Sequence, residues 1–195
     1  MLTFTPDELE EDILADLMEE INELYESSEQ TLIELELRPA DNELQRALFR
    51  SIHTIKGDLG LVNFSPLIPL LQHVEDLLDY LRKGQVAYTS TMSDLVLLTM
   101  DRVKAFVEEV MRTGKAEYDN NLHEQLVLAI SRITPENNAE HERFLNDAVL
   151  LLNPALDVAS SEGNSESAPV KAPVLASTGI PKDISSEKKQ DVLFF

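Results

Sequence analysis

The stretch QRALFRSIHTIKGDLGLVNF, residues 45–64, reads as one amphipathic helix, and the rest of the chain is organised around it. At about 100° of turn per residue, Leu44, Leu48, Ile52, Ile55, Leu59 and Val62 share one broad apolar sector, while His53 points about 140° from its centre. The spacing therefore predicts a histidine facing water on a helix whose other side is core. Lys56, Gly57 and Gly60 follow His53 at intervals that keep them on its face. A helical glycine costs about 1 kcal/mol relative to alanine, so two on one face imply a use for bare surface.

With 195 residues the chain can hold one domain of ordinary size plus a tail. It lacks cysteine, which excludes disulfides and thiolate metal sites. No apolar run approaches the ~18 residues that a membrane helix needs, and no leader pattern opens the chain, so a soluble cytoplasmic protein is expected. A net charge of −20 opposes binding to nucleic acid or to an anionic membrane and points to protein partners. Against that background Arg46, Arg50 and Lys56 surround His53, a local reversal of sign that favours an anion. On charge alone, a basic helix pairing with acidic neighbours explains it equally well.

In chain order, Thr5-Pro6-Asp7-Glu8 reads as a capped helix start. Leu9, Ile13, Leu17, Ile21, Leu24, Leu32, Leu35 and Leu37 then recur at helical spacing as far as Arg38-Pro39. A link of a few residues sets this helix antiparallel to the central one. Ser65-Pro66 offers a second start, with Pro69 either tolerated one turn inside or marking a later beginning. The helix that follows carries an apolar stripe through Leu67, Leu70, Leu71, Val74, Leu77, Leu78 and Leu81, a polar rim of Gln72, Glu75, Asp76 and Asp79, and a close at Arg82-Lys83-Gly84. A fourth helix runs from about Thr89 through Leu95, Leu98, Val103, Phe106, Val107 and Val110 to Gly114. A fifth spans about 121–133, with Val127, Ile130 and Ile133 inward, and a last one spans 139–152. Residues 155–195 have the composition of a disordered linker, ending in Val192-Leu193-Phe194-Phe195, which suggests a longer parent protein. No strand pattern of useful length is found in the ordered part.

The run His53-Thr54-Ile55-Lys56-Gly57-Asp58-Leu59-Gly60, with Phe49-Arg50 before it and Phe64 after it, resembles the acceptor motif of histidine phosphotransfer (HPt) domains. It is most similar to the N-terminal HPt domain of chemotaxis-type sensor kinases, whose pattern is roughly His-Ser-Ile-Lys-Gly-x-Ala-Gly-x-x-Gly-Phe. Glu75-Asp76-Leu77-Leu78-Asp79 and the closing Arg82-Lys83-Gly84 fit the family's next helix. The likeness is strong over 48–84 and extends to about 7–133. Leu59 stands where a small residue is usual, Asn63 where glycine is common, and Gln72 where the family tends to place a histidine; here the histidine is His73.

The resemblance implies an all-α fold, an up-and-down antiparallel four-helix bundle over 1–134 with one or two extra C-terminal helices, an additional one over 135–154 packed on the bundle, and a disordered tail. It implies that His53 accepts a phosphoryl group from a sensor histidine kinase or from a receiver domain, and hands it to a response-regulator receiver domain. Lys56 would then offset phosphate charge, and Glu75 or Gln72 would orient the imidazole. Phe49, Arg50, Gly57 and Gly60 would form the docking surface. No Gly-rich nucleotide loop is present, so no kinase activity of its own is expected. Two candidate ligands, His53 and Glu75, are too few for a metal site, and no cofactor is expected. A helical scaffold that binds partners without taking phosphate is the competing expectation. His73 reads as a packing or capping residue, and His123 and His141 receive no role.

Overall fold

Six α-helices and one short ribbon make up residues 1–6 and 11–153, the part that the computed structural model describes. The helices are α1 (Glu11–Leu37), α2 (Asn42–Leu61), α3 (Ile68–Arg82), α4 (Ser90–Thr113), α5 (Asn120–Ser131) and α6 (His141–Leu152). A 3₁₀ segment, Pro135–Glu140, leads into α6, so the last helix begins slightly later than its spacing suggested. α2 lies between α1 and α3, and α1 also packs on α4. α5 and α6 close the far side, α5 against α3 and α6 against α4. The predicted all-α bundle with extra C-terminal helices is what the chain forms.

Local chemistry sets the ends of the helices. Asp41 caps α2, its carboxylate accepting from the backbone N–H groups of Glu43 at 3.0 Å and Leu44 at 3.3 Å, a device typically worth about 1 kcal/mol. Asn63 takes the left-handed conformation, with φ of 59°, and turns the chain so that Phe64 enters the core. Asparagine tolerates that region better than most residues. The turn continues through Leu67, and α3 starts only at Ile68, with Pro69 in its first turn where no N–H is needed. The earlier start at Ser65-Pro66 is thus replaced by the later one. Gly84, with φ of 68°, follows α3, and Gly114, with φ of 74°, ends α4.

Packing follows the apolar sector of α2. Leu48, Ile52, Ile55 and Leu59 are fully buried against Leu70, Leu71, Val74, Leu77 and Leu78 of α3 and the inner residues of α1, each contributing about 1.5–3 kcal/mol by burial. Leu59, where the family prefers a small residue, is absorbed without trace of exposure. Two α1 assignments need correction: Ile13 and Leu37 are exposed, while Leu14 and Met18 take core positions. Leu14, Leu17, Met18 and Ile21 form a continuous 3–4 stripe that leaves Ile13 beside it. Leu37, the last residue of the helix, lies beyond the cover of its neighbours. In α5 the inward face is Leu126, Ala129 and Ile130, with Val127 only half-buried.

The sequence showed no strand, yet Leu2–Phe4 pairs antiparallel with Ala116–Tyr118, Phe4 opposite Ala116. Three residues are too few to carry a legible alternation. What holds the ribbon is aromatic: Phe4 lies 5.2 Å from Phe64 and 5.6 Å from Phe106, centroid to centroid, and Tyr118 meets the edge of Phe106. Among the described residues no helix is long and apolar enough to cross a membrane. Asp7, Glu8 and Leu9 of the first cap, and the linker expected after 154, lie outside the described residues.

His123 is buried beside Tyr118, with Nε2 lacking a hydrogen-bond partner. Burial, and then the nearby Arg102 charge, hold it below the usual imidazole range, with Glu124 opposing weakly. A depressed value means that the unfolded chain takes up a proton before the folded one does. Above about pH 6.5 His123 is neutral in both states, and its contribution is lost as pH falls from there toward its folded value. Urea midpoints should therefore drop more between pH 7.5 and 5.5 in the wild type than in His123→Asn.

Candidate functional site

α2 positions the site by burying its opposite side. Ile52 and Ile55 are fully buried, which leaves the His53 side chain 62% exposed. The antiparallel α3 brings Glu75 level with it, Oε1 lying 3.2 Å from His53 Nδ1. One turn further along α2 and one turn back on α3, the Lys56 ammonium lies 2.7 Å from Glu75 Oε2 and donates to Gln72 Oε1 at 2.8 Å. The Gln72 amide in turn donates to Asp76 Oδ1 at 2.8 Å. One carboxylate thus bridges an imidazole and an ammonium.

Two of these positions differ from the sequence reading. Glu75 belongs to no solvated rim: it is buried, which a carboxylate tolerates only beside compensating partners. Lys56, also, is 18% exposed rather than a surface lysine, its stem packed and its charge committed to Glu75 and Gln72. The Lys56–Glu75 contact is one of charge, because Oε2 makes no aligned hydrogen bond. Gln72 meets Lys56, and Glu75 is the residue against the imidazole. His73 lies 3.8 Å from Asp76, at the rim.

Since Nδ1 faces a carboxylate, it is the nitrogen assigned the proton, and Nε2 keeps its lone pair. In that tautomer the exposed imidazole offers a nucleophilic lone pair at Nε2. Gly57 and Gly60 are exposed, and a methyl group built on either meets nothing within 4 Å. No internal packing demands them, so the bare surface faces outward. Arg50 is exposed on the same helix, whereas Arg46 pairs with Glu43 at 2.9 Å in a solvated contact of little worth. Phe49 does not stand clear of the protein: it is half-buried, packs against the core and stacks near His53. Among the described residues no group of three or more His, Asp or Glu gathers as metal ligands.

The family model for the Hpt domain matches residues 12–133, more than half of the chain. The chain belongs to the Hpt domain family. Its Hpt region is 35% identical over 133 residues to the sensor histidine kinase CheAY of Helicobacter pylori, a match covering 67% of this chain and 16% of that protein. Among solved structures, the CheA phosphotransferase domain of Thermotoga maritima aligns with a TM-score of 0.50 and 30% identity, covering 53% of this chain and 98% of that one. The solution structure of the histidine phosphotransfer domain of CheA gives a TM-score of 0.53 and 27% identity, covering 62% and 92%. The chain therefore spans a small part of the curated kinase it matches and nearly all of the isolated domains. Hpt domains carry phosphoryl groups in two-component signalling and are not enzymes in the ordinary sense.

Two residues near this candidate site received no site role in the sequence. Asp76, bonded to Gln72, stands one helical turn beyond it, a legible i,i+4 pair. Arg82 was read only as a C-terminal cation, and its place over Phe49 depends on how two helices meet. His141 also has a structural role, its Nε2 lying 2.5 Å from the Thr134 carbonyl oxygen, which fastens the 3₁₀ segment.

Gly57→Ala and Gly60→Ala should each raise stability by up to ~1 kcal/mol, read as a higher Tm, because the methyl group enters open space on a helix. Lys56→Ala should lower it by about 1–3 kcal/mol, since Glu75 and Gln72 lose their partner; an unchanged urea midpoint would contradict that pairing.

Proposed function

We propose that His53 is the phosphoacceptor of this Hpt domain, taking the group from a kinase or from a receiver aspartyl phosphate and passing it to a response-regulator aspartate. The Nε2 lone pair forms the N–P bond as the bond from phosphorus to the donor oxygen breaks, and the electron pair leaves on that oxygen. The imidazole then carries positive charge, and Glu75, against Nδ1–H, stabilises it. Return of the group to a carboxylate reverses these steps. The observation carrying this reading is the buried Glu75 carboxylate set between the exposed imidazole and the Lys56 ammonium.

Lys56 lies one turn from His53 and offsets charge on the transferred group, with Gln72 holding it in place. Arg50, Gly57 and Gly60 give the partner's active site a low, positively biased surface to approach, with Phe49 at its edge. We assign transfer to the bundle over 1–134, with 135–154 as an added helix, and place the domain in the cytoplasm with a sensor kinase and a receiver domain as partners. These 195 residues hold no Gly-rich nucleotide loop, so the phosphate comes from a catalytic site outside the bundle.

Incubation with an acetyl-phosphate-charged receiver should leave an acid-labile, alkali-stable label that is lost in His53→Gln. Lys56→Ala should keep the bundle and slow labelling roughly tenfold or more. Gly57→Ala should slow labelling while raising Tm, the opposite signs marking a surface kept bare for a partner. Receiver binding without label on the wild type would convict the site of docking alone; neither binding nor label would leave a scaffold.

A further inference from the structure

We propose that Phe49 is a positioning residue that fixes the plane of the His53 imidazole, and that Arg82 holds Phe49 in place. This rests on His53 as the phosphoacceptor, and it replaces the reading of Phe49 as a partner contact. The Phe49 and His53 rings lie 5.8 Å apart, centroid to centroid, and only 13° from parallel. Phe49 sits one helical turn before His53, the spacing at which side chains on one face meet. The Arg82 guanidinium carbon is 4.3 Å from the Phe49 centroid, within the range of a cation–π contact.

The need for a second contact is geometric. Glu75 reaches the imidazole at one atom, Nδ1, and a single 3.2 Å contact leaves play in the broad torsion about the Cβ–Cγ bond. A nearly parallel aromatic face removes this freedom and so aims the Nε2 lone pair. Arg82 is itself anchored: its Nε donates to Asp79 Oδ1 at 2.7 Å, its Nη2 also pairs with Asp79, and Lys83 Nζ pairs with the other carboxylate oxygen. Burial raises the Asp79 carboxyl, but the hydrogen bonds from Lys83 and Arg82 outweigh it and leave it below the usual range, so this anchor stays ionised. The chain of contacts runs Asp79, Arg82, Phe49, His53, from the last turn of α3 across to α2. Once the imidazole is positively charged by transfer, the π face of Phe49 attracts it further.

Nitrogen-15 NMR of the full chain, with labelled histidine and no partner present, reads the His53 tautomer directly. The wild type should be mainly Nδ1–H. Phe49→Leu should mix the tautomers and lower the labelling rate at saturating donor roughly threefold to tenfold, with KM held within about twofold. Phe49→Tyr, which keeps the ring, should restore both readouts. Arg82→Gln, which leaves the Phe49 side chain in place and so guards against a simple folding defect, should fall between. A raised KM with unchanged tautomer in Phe49→Leu overturns the proposal and returns Phe49 to docking. Wild-type behaviour of Arg82→Gln in both readouts overturns the anchoring by Arg82. A tautomer change in Phe49→Leu, with a wild type that takes no phosphate, upholds the stack and defeats the transfer reading, so the two fail separately.

Discussion

A carboxylate buried between two cationic or protonatable groups is the constraint on which the site depends. Glu75 is out of bulk water, and a lone ionised carboxylate there would be expelled or neutralised. Lys56 and His53 make its position tolerable, and both come from the neighbouring helix. The pairing therefore fixes the register of α2 against α3 as well as the tautomer of the imidazole. A slip of either helix by one residue would separate the carboxylate from both partners.

α2 meets two demands at once. Its inner sector is closely packed, with Leu48, Ile52, Ile55 and Leu59 at zero exposure, and this rigidity sets the direction in which His53 projects. Its outer face forgoes side chains at Gly57 and Gly60, where the structure has room for them. Helix stability is given up there with no return from internal packing. On the function proposed above, the bare face serves the approach of another protein, in keeping with membership of a family whose work is to pass a group between proteins.

The remainder of the chain supports that helix pair. α1 covers the other flank of α2, while α5 and α6 fill the space between α3 and α4. The aromatic group of Phe4, Phe64, Phe106 and Tyr118 pins the N-terminal strand to the strand after α4, close to the turn that ends α2. Asn63 makes that turn possible by entering the left-handed region where the family more often has glycine.

The sequence by itself determined the helices, their order, the core sector of α2 and the exposure of His53. Each is encoded in periodicity and capping within a few residues of chain. It also brought Lys56, Gly57 and Gly60 to one face, because helical spacing alone does that. Only the tertiary structure decided that Glu75 turns inward to the imidazole, that Gln72 serves Lys56, and that Phe49 lies between His53 and Arg82 instead of standing free. The strand pairing of Leu2–Phe4 with Ala116–Tyr118 belongs with these. All of them depend on the rotation and offset of one element against another, and a wheel drawn for a single helix holds no information about its neighbour's phase.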